Sequence, residues 1–310
     1  MITQFVGLAA FAAGLPFVTF CQPFNNSSIE VAWNVSTNRI PSTVKFFKVI
    51  STTYSATAIS NLMQIAGLTD KNKKHVTQAG TLGGKDVLTY ATKDETRHLD
   101  IIASEGMIAL HRAGIVAGPK ETVTGVPGTN VIVEKLFQLL PILDIEKSEV
   151  ARDIPGKPIP YTFVENADIH KDKATGKIVT NIVSRGVSFS RQIDGIPVWG
   201  PAGVYAEFGN DGKVAELTAT WRSIKPRATS AVPTAKDFVA LIRTGKTLIR
   251  DEQAGFTYRK FVVEDVQLYY WENGGSEHQS SIVPFAVLNV ATDLPGENAN
   301  VLLFVPFMNQ

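Results

Sequence analysis

The stretch that decides the reading of this chain runs from Ser184 to Ile224, SRGVSFSRQIDGIPVWGPAGVYAEFGNDGKVAELTATWRSI. Val187, Phe189 and Arg191 alternate with Ser188, Ser190 and Gln192, the period-2 signature of a strand with two unlike faces. Asp194-Gly195 breaks the run, and Ile196-Pro197-Val198-Trp199-Gly200 restarts it. A second alternating segment, Val204 to Phe208, meets Asn210-Asp211-Gly212-Lys213, where Asn, Asp and Gly tolerate the positive φ of tight hairpins. A third strand, Val214 to Trp221, follows. The segment predicts three antiparallel strands.

The order strand, x-D-G-I-P-V-x-G, strand, D-G-K, strand resembles the PepSY and FTP domains in the propeptides of thermolysin-type metalloproteases. The resemblance implies a small α+β module that chaperones or inhibits a peptidase, or that sits outside the membrane as a sensor. The family's usual neighbour, a metallopeptidase domain with a zinc helix, has no counterpart in this sequence. That implies a free-standing binding partner rather than a propeptide acting in cis.

Upstream, Val44 to Ser51 reads as a strand. Ala56 to Ala66 reads as a helix, with Ile59, Leu62, Met63 and Ala66 on one side and Gly67 to stop it. Thr69 to Gly84 is polar and lysine-rich and reads as a solvent loop. Three short strand candidates follow, Val87–Ala91, His98–Ala103 and Met107–Ala113. Gly114 to Gly128 is rich in Gly and Pro and reads as a junction. A second helix is expected from about Asn130 to Leu140, and Pro155, Pro158 and Pro160 form a stiff connector. Pro233-Thr234-Ala235-Lys236 opens a third helix, and strands at Phe261–Trp271, Ser281–Ala291 and Val301–Pro306 close the chain. The fold class expected is α+β: two cystatin-like or PepSY-like modules, each with helix packed on a curved antiparallel sheet. The expected domains are a signal peptide over 1–21, a β-α-β-β-β module over 40–114 and a PepSY/FTP-like module over 128–310.

Hydrophobic residues make up 44% of the chain and charged ones 19%, which suits a folded globular protein rather than a disordered one. Thirty Lys and Arg nearly cancel 29 Asp and Glu, so net charge points to no nucleic-acid backbone or anionic membrane as partner. Ile2 to Cys21 carries no charge and reads as a secretory signal without the usual basic start, cleaved before Gln22 or after Ala12. An uncleaved anchor is the alternative; with the signal removed, no span long enough for a membrane remains. The sequons Asn25-Asn26-Ser27, Asn26-Ser27-Ser28 and Asn34-Val35-Ser36 fit a secreted glycoprotein. Cys21 is the single cysteine, so no disulfide within the chain can staple the fold.

Familiar catalytic signatures are missing. The five histidines, His75, His98, His111, His170 and His278, include no i, i+4 pair, and H-E-x-x-H is absent, so no metal site is expected. Gly245-Lys246-Thr247 lacks the earlier glycine of a phosphate loop, and Ser42-Thr43-Val44-Lys45 runs into a strand instead of opening a helix. No cofactor is expected. What remains is a set of aromatic and cationic side chains: Arg191, Trp199, Tyr205, Trp221 and Arg222, with Tyr269, Tyr270 and Trp271 later. They read as core residues whose polar tips find partners, or as a groove for an extended peptide or an apolar ligand. The function expected is a secreted, non-enzymatic binding module, a propeptide-like inhibitor or folding partner of a peptidase. The alternative is an isomerase, cyclase or dehydratase that uses an apolar pocket.

Overall fold

The computed structural model describes residues 21–35, 40–69, 71, 73–77, 86–116, 125–152, 161–171, 175–250, 258–273, 278–293 and 300–307. The signal-like run Ile2–Phe20, residues 78–84 of the Thr69–Gly84 segment, residues 117–124 of the Gly114–Gly128 segment and the three connector prolines lie outside them. Contacts group the chain into two compact units. One comprises Ile50–Ser223 with Gly274–Gln279, the other Met1–Val49, Ile224–Asn273 and Ser280–Gln310.

The Ile50–Ser223 unit holds helices α1 (Ala56–Ala66) and α2 (Thr129–Leu139). Its strands are β4 (Lys73–Thr77), β5 (Asp86–Ala91), β6 (Arg97–Ile102), β7 (Met107–Arg112), β8 (Tyr161–Lys171) and β9 (Ile178–Ser190). After these come β10 (Gln192–Ile193), β11 (Ile196–Trp199), β12 (Gly203–Phe208) and β13 (Val214–Thr220). Eight of them form one antiparallel sheet in the order β4-β5-β6-β7-β13-β12-β9-β8. The three strands read from Ser184–Ile224 are β9, β12 and β13, side by side. The small hairpin β10–β11 interrupts them, turning at Asp194 (φ 51°) and Gly195 (φ 79°), both left-handed as a type I′ turn requires.

Alternation along these strands gives the sheet two unlike faces. Leu99, Leu110, Leu217, Ala206 and Val187 form one row of the inner face, and Ile101, Ile108, Ala219, Val204 and Phe189 the next. Both rows belong to one apolar cluster with Leu62, Met63 and Ala66 of α1 and Ile132 and Leu136 of α2. Ser55 caps α1 by accepting from the Ala58 amide, and Gly67 (φ 69°) ends it in the left-handed conformation. Arg97 and Arg112, paired across β6 and β7, donate to the carbonyls of Gly67 and Ile65, putting cations where the helix dipole is negative. The outer face is polar, with His98, His111, Glu216 and Glu207 in a single transverse row.

The second unit holds α3 (Ala235–Arg243) and the strands β1 (Cys21–Phe24), β2 (Glu30–Trp33), β3 (Thr43–Ile50) and β14 (Ser223–Ala231). With them are β15 (Thr247–Arg250), β16 (Lys260–Trp271), β17 (Ser281–Thr292) and β18 (Asn300–Pro306). The order β1-β15-β18-β17-β16 is antiparallel throughout. β2 adds to β16 in parallel, and β3 joins β14 and β17. Thr234 and Asp237 form a reciprocal capping box at the start of α3. Phe238 of α3 stacks on Trp33 at 5.6 Å.

The α+β expectation is therefore corrected. Strands dominate, organised as two large sheets, and the described residues contain only three α-helices. Helix-on-sheet cystatin modules are not what the chain forms. β7 hydrogen-bonds to β13, so strands about a hundred residues apart are neighbours, and the units are not the consecutive stretches 40–114 and 128–310. Alternation shows that a strand has two faces but not which strand it pairs with, and here long-range pairing decided the architecture. β4 also forms within the lysine-rich segment read as a loop. No helix among the described residues is long and apolar enough to cross a membrane.

Candidate functional site

Three of the residues singled out from sequence meet at one end of the eight-stranded sheet. Arg191 follows β9, and Trp221 and Arg222 follow β13. Glu105 joins them from the 3-10 turn Ala103–Glu105 between β6 and β7. Glu149 comes from a second such turn, Lys147–Glu149. Arg222 is fully buried and donates through Nη2 and Nε to Glu105 Oε2 at 2.7 and 3.2 Å, where Glu105 is equally buried. Arg191 donates through Nη1 to the Arg222 carbonyl at 2.8 Å and through Nη2 to Glu149 Oε2 at 3.2 Å. Trp221 Nε1 donates to the same Glu149 oxygen at 2.7 Å, and the Arg191 guanidinium lies 5.0 Å from the indole ring.

Backbone contacts lock this cluster in place. Gly106 (φ 58°) passes so close to β13 that a side-chain Cβ there would lie 2.6 Å from the Trp221 carbonyl carbon and 2.8 Å from Arg222 Cα. The Trp221 amide donates to the Gly106 carbonyl at 2.8 Å. A bridge between Val150 and Arg191 ties in the Glu149 turn. On the solvent side His278 brings Nδ1 to 3.6 Å from Glu105 Oε1, with its own side chain 77% exposed.

Two guanidinium groups face two carboxylates, so the cluster is balanced in charge. Buried ions must be paired and hydrogen-bonded to be tolerated, and this arrangement meets that demand. Its chemistry is that of a structural clasp. Oε2 of Glu105 accepts twice from Arg222, and Oε2 of Glu149 accepts from Arg191 and from the Trp221 indole. Among the described residues no group of three or more His, Cys, Asp or Glu side chains is placed to hold a metal ion.

The rest of the sequence-derived set lies elsewhere. Trp199 stands half-buried on β11. Tyr205 points to the outer face of the sheet, where its ring covers Gly186: a Cβ there would meet the ring at 2.6 Å. Its hydroxyl donates to Glu207 Oε2 at 3.4 Å, and burial together with the charges of Glu207 and Glu216 pushes the phenol up to about 12. Glu207 also accepts from Ser184 and, at 3.0 Å, from Asn166. In the second unit, Tyr269 stacks on Phe285 at 5.7 Å, and its phenol is pushed up to about 12 by burial and the Asp265 charge. Trp271 meets Phe285 edge-on and donates to Asn273. Tyr270 faces the other way, packing edge-on against Phe47 at 5.4 Å and accepting from the Lys45 amide. The set read as one groove thus divides between two sheets.

Sequence reading missed Glu105, Glu149 and His278. Glu105 precedes Gly106 between two strands and reads as an ordinary turn residue; its burial comes from β13, far away in sequence. His98 and His111 stack at 5.4 Å on the outer face, while the side chains of His75 and His170 lie outside the described set.

No family model matches the chain, and no curated protein matches it. Among solved structures it is similar to an uncharacterized protein from Eubacterium rectale ATCC 33656, at 10% identity over 92% of each chain with a TM-score of 0.46.

Proposed function

We propose that this chain is a secreted, non-enzymatic binding module, an inhibitor or folding partner of a peptidase like the propeptide modules that Ser184–Ile224 resembles. The observation that carries this reading is β8. It is the outermost of the described strands on its side of the sheet, spans Tyr161–Lys171 and leaves Val164 and Ile169 exposed. The outer edge of such a strand offers backbone donors and acceptors to an incoming extended segment, the β-addition mode of peptide recognition. The clasp of Arg191, Arg222, Glu105 and Glu149 supports the same reading, since Oε2 of each carboxylate accepts two donors from within the cluster. The charge-free run Ile2–Cys21 and the early sequons support export.

The test is inhibition. Purified chain titrated into a thermolysin-type metallopeptidase should slow its turnover or raise the yield of its refolding. No effect on activity, refolding or binding would overturn the proposal.

A further inference from the structure

Before Arg185, β9 has no pairing with β12, whose register ends at Phe208 opposite Arg185. The remainder of β8 and β9 therefore continues as a two-stranded ribbon, paired from Ala167↔Ile182 to Lys171↔Ile178. On the core-facing side of this ribbon stand Ala167, Ile169 and Lys171 of β8, opposite Ile182, Thr180 and Ile178 of β9. Ile169 is 67% exposed and Ile178 75%. Two-stranded ribbons are marginal in water, and long apolar edges invite further pairing.

We propose that β8 pairs antiparallel with β8 of a second copy of this chain, about a two-fold axis at Asn166. This rests on the reading of β8 as an edge that accepts an extended strand, and it names the strand that fills it when no other partner is present. The sequence of the edge itself selects the register. Centring on Asn166 overlaps all of Tyr161–Lys171, the greatest overlap available. It sets exposed Ile169 across from Phe163, Lys171 across from the Tyr161 ring, and Glu165 across from Ala167. On the outer face Val164 meets Asp168, and Asn166 meets itself. No like charges stand directly opposed, and each Glu165 is neutralised within its own copy by Arg185 at 2.7 Å. A centre at Asp168 would instead oppose two aspartates. The closed, isologous symmetry is the commonest among oligomers. One strand pair lies at the small end of stable interfaces, so the dimer is a weak, concentration-dependent one.

Cross-linking tests it. In a Cys21→Ser background, Asn166→Cys places two sulfurs across the axis, at a cross-strand Cβ separation of about 4.5–5.5 Å, close to what a disulfide needs. Mild oxidation should convert most of this variant to a covalent dimer, while Thr162→Cys, off the axis, should cross-link at least tenfold less. Sedimentation adds a second arm. Ile169→Lys should weaken the dimer at least tenfold, whereas Ile178→Lys, on the strand away from the interface, should leave it within about twofold. A monomeric wild type, equal cross-linking at both positions, or equal weakening by both lysines overturns the proposal. Peptidase inhibition is read separately, so the dimer can fail while the binding reading stands, and the reverse.

Discussion

Arg222 and Glu105, 117 residues apart in sequence, form a charged pair at 2.7 Å with neither residue open to solvent. Breaking a buried pair by removing one partner leaves an uncompensated charge. Glu105→Ala is therefore expected to cost about 3–5 kcal/mol of stability, measured by urea denaturation. Replacing both, Glu105→Leu with Arg222→Met, should recover most of that loss. His278→Ala should change less than Glu105→Ala, because the His278 side chain is largely exposed and the Arg222–Glu105 pair stays intact without it.

The close approach at Gly106 gives a second test. An alanine there must find room against the backbone of Trp221 and Arg222 and must adopt φ near 58°. Gly106→Ala should destabilise by more than about 1 kcal/mol, the usual scale of a left-handed backbone penalty. Gly195→Ala, which also has positive φ but open space around its Cβ position, should cost less. Thermal unfolding of the two variants side by side checks the difference.

Alkaline titration reports two phenols, Tyr205 half-buried on the outer face and Tyr269 buried in the second unit. Tyr205 and Tyr269 are each pushed up to about 12 from an ordinary value of 10.0, by burial first and nearby carboxylates second. A folded-state pKa above the unfolded one means that the stabilisation is complete below pH 10. It is lost as pH rises from there through about 12. Ultraviolet titration should show these phenolates forming late, and Tyr205→Phe should remove one of the late-forming groups.

Local signals in the sequence placed many elements correctly. The apolar stripe of Ala56–Ala66 gave α1 with its Gly67 stop, and Asp194-Gly195 gave a hairpin turn. The alternation of Phe261–Trp271 and its two successors gave β16, β17 and β18. These features depend on residues close in the chain. The sheet order does not: nothing in Met107–Arg112 announces β13 as its neighbour, and the lysine-rich β4 carries little apolar pattern. The site divided in the same way. Arg191, Trp221 and Arg222 were legible as chemistry, but their partners Glu105 and Glu149 lie on turns that look solvent-facing until the long-range pairing is known.

The helix cap of α3 offers a control for local energetics. Thr234 accepts from the Asp237 amide while Asp237 accepts from the Thr234 amide at 2.9 Å. Thr234→Ala should cost about 1 kcal/mol. The Asp237 carboxyl is held below the ordinary range by these Thr234 hydrogen bonds, so its contribution is present above the unfolded carboxylate pKa and fades as pH falls through the lower folded value. A urea midpoint series at falling pH should show the gap between wild type and Thr234→Ala closing.

Amide hydrogen exchange along β8 tests the binding reading most directly. It should be measured on the chain at a concentration where it sediments as a monomer, with and without an inactivated thermolysin-type metallopeptidase. Exchange should slow, with the effect concentrated in Tyr161–Lys171, when the peptidase is present, because an added strand would occupy that edge. Unchanged exchange across β8 at saturating peptidase would contradict the binding reading.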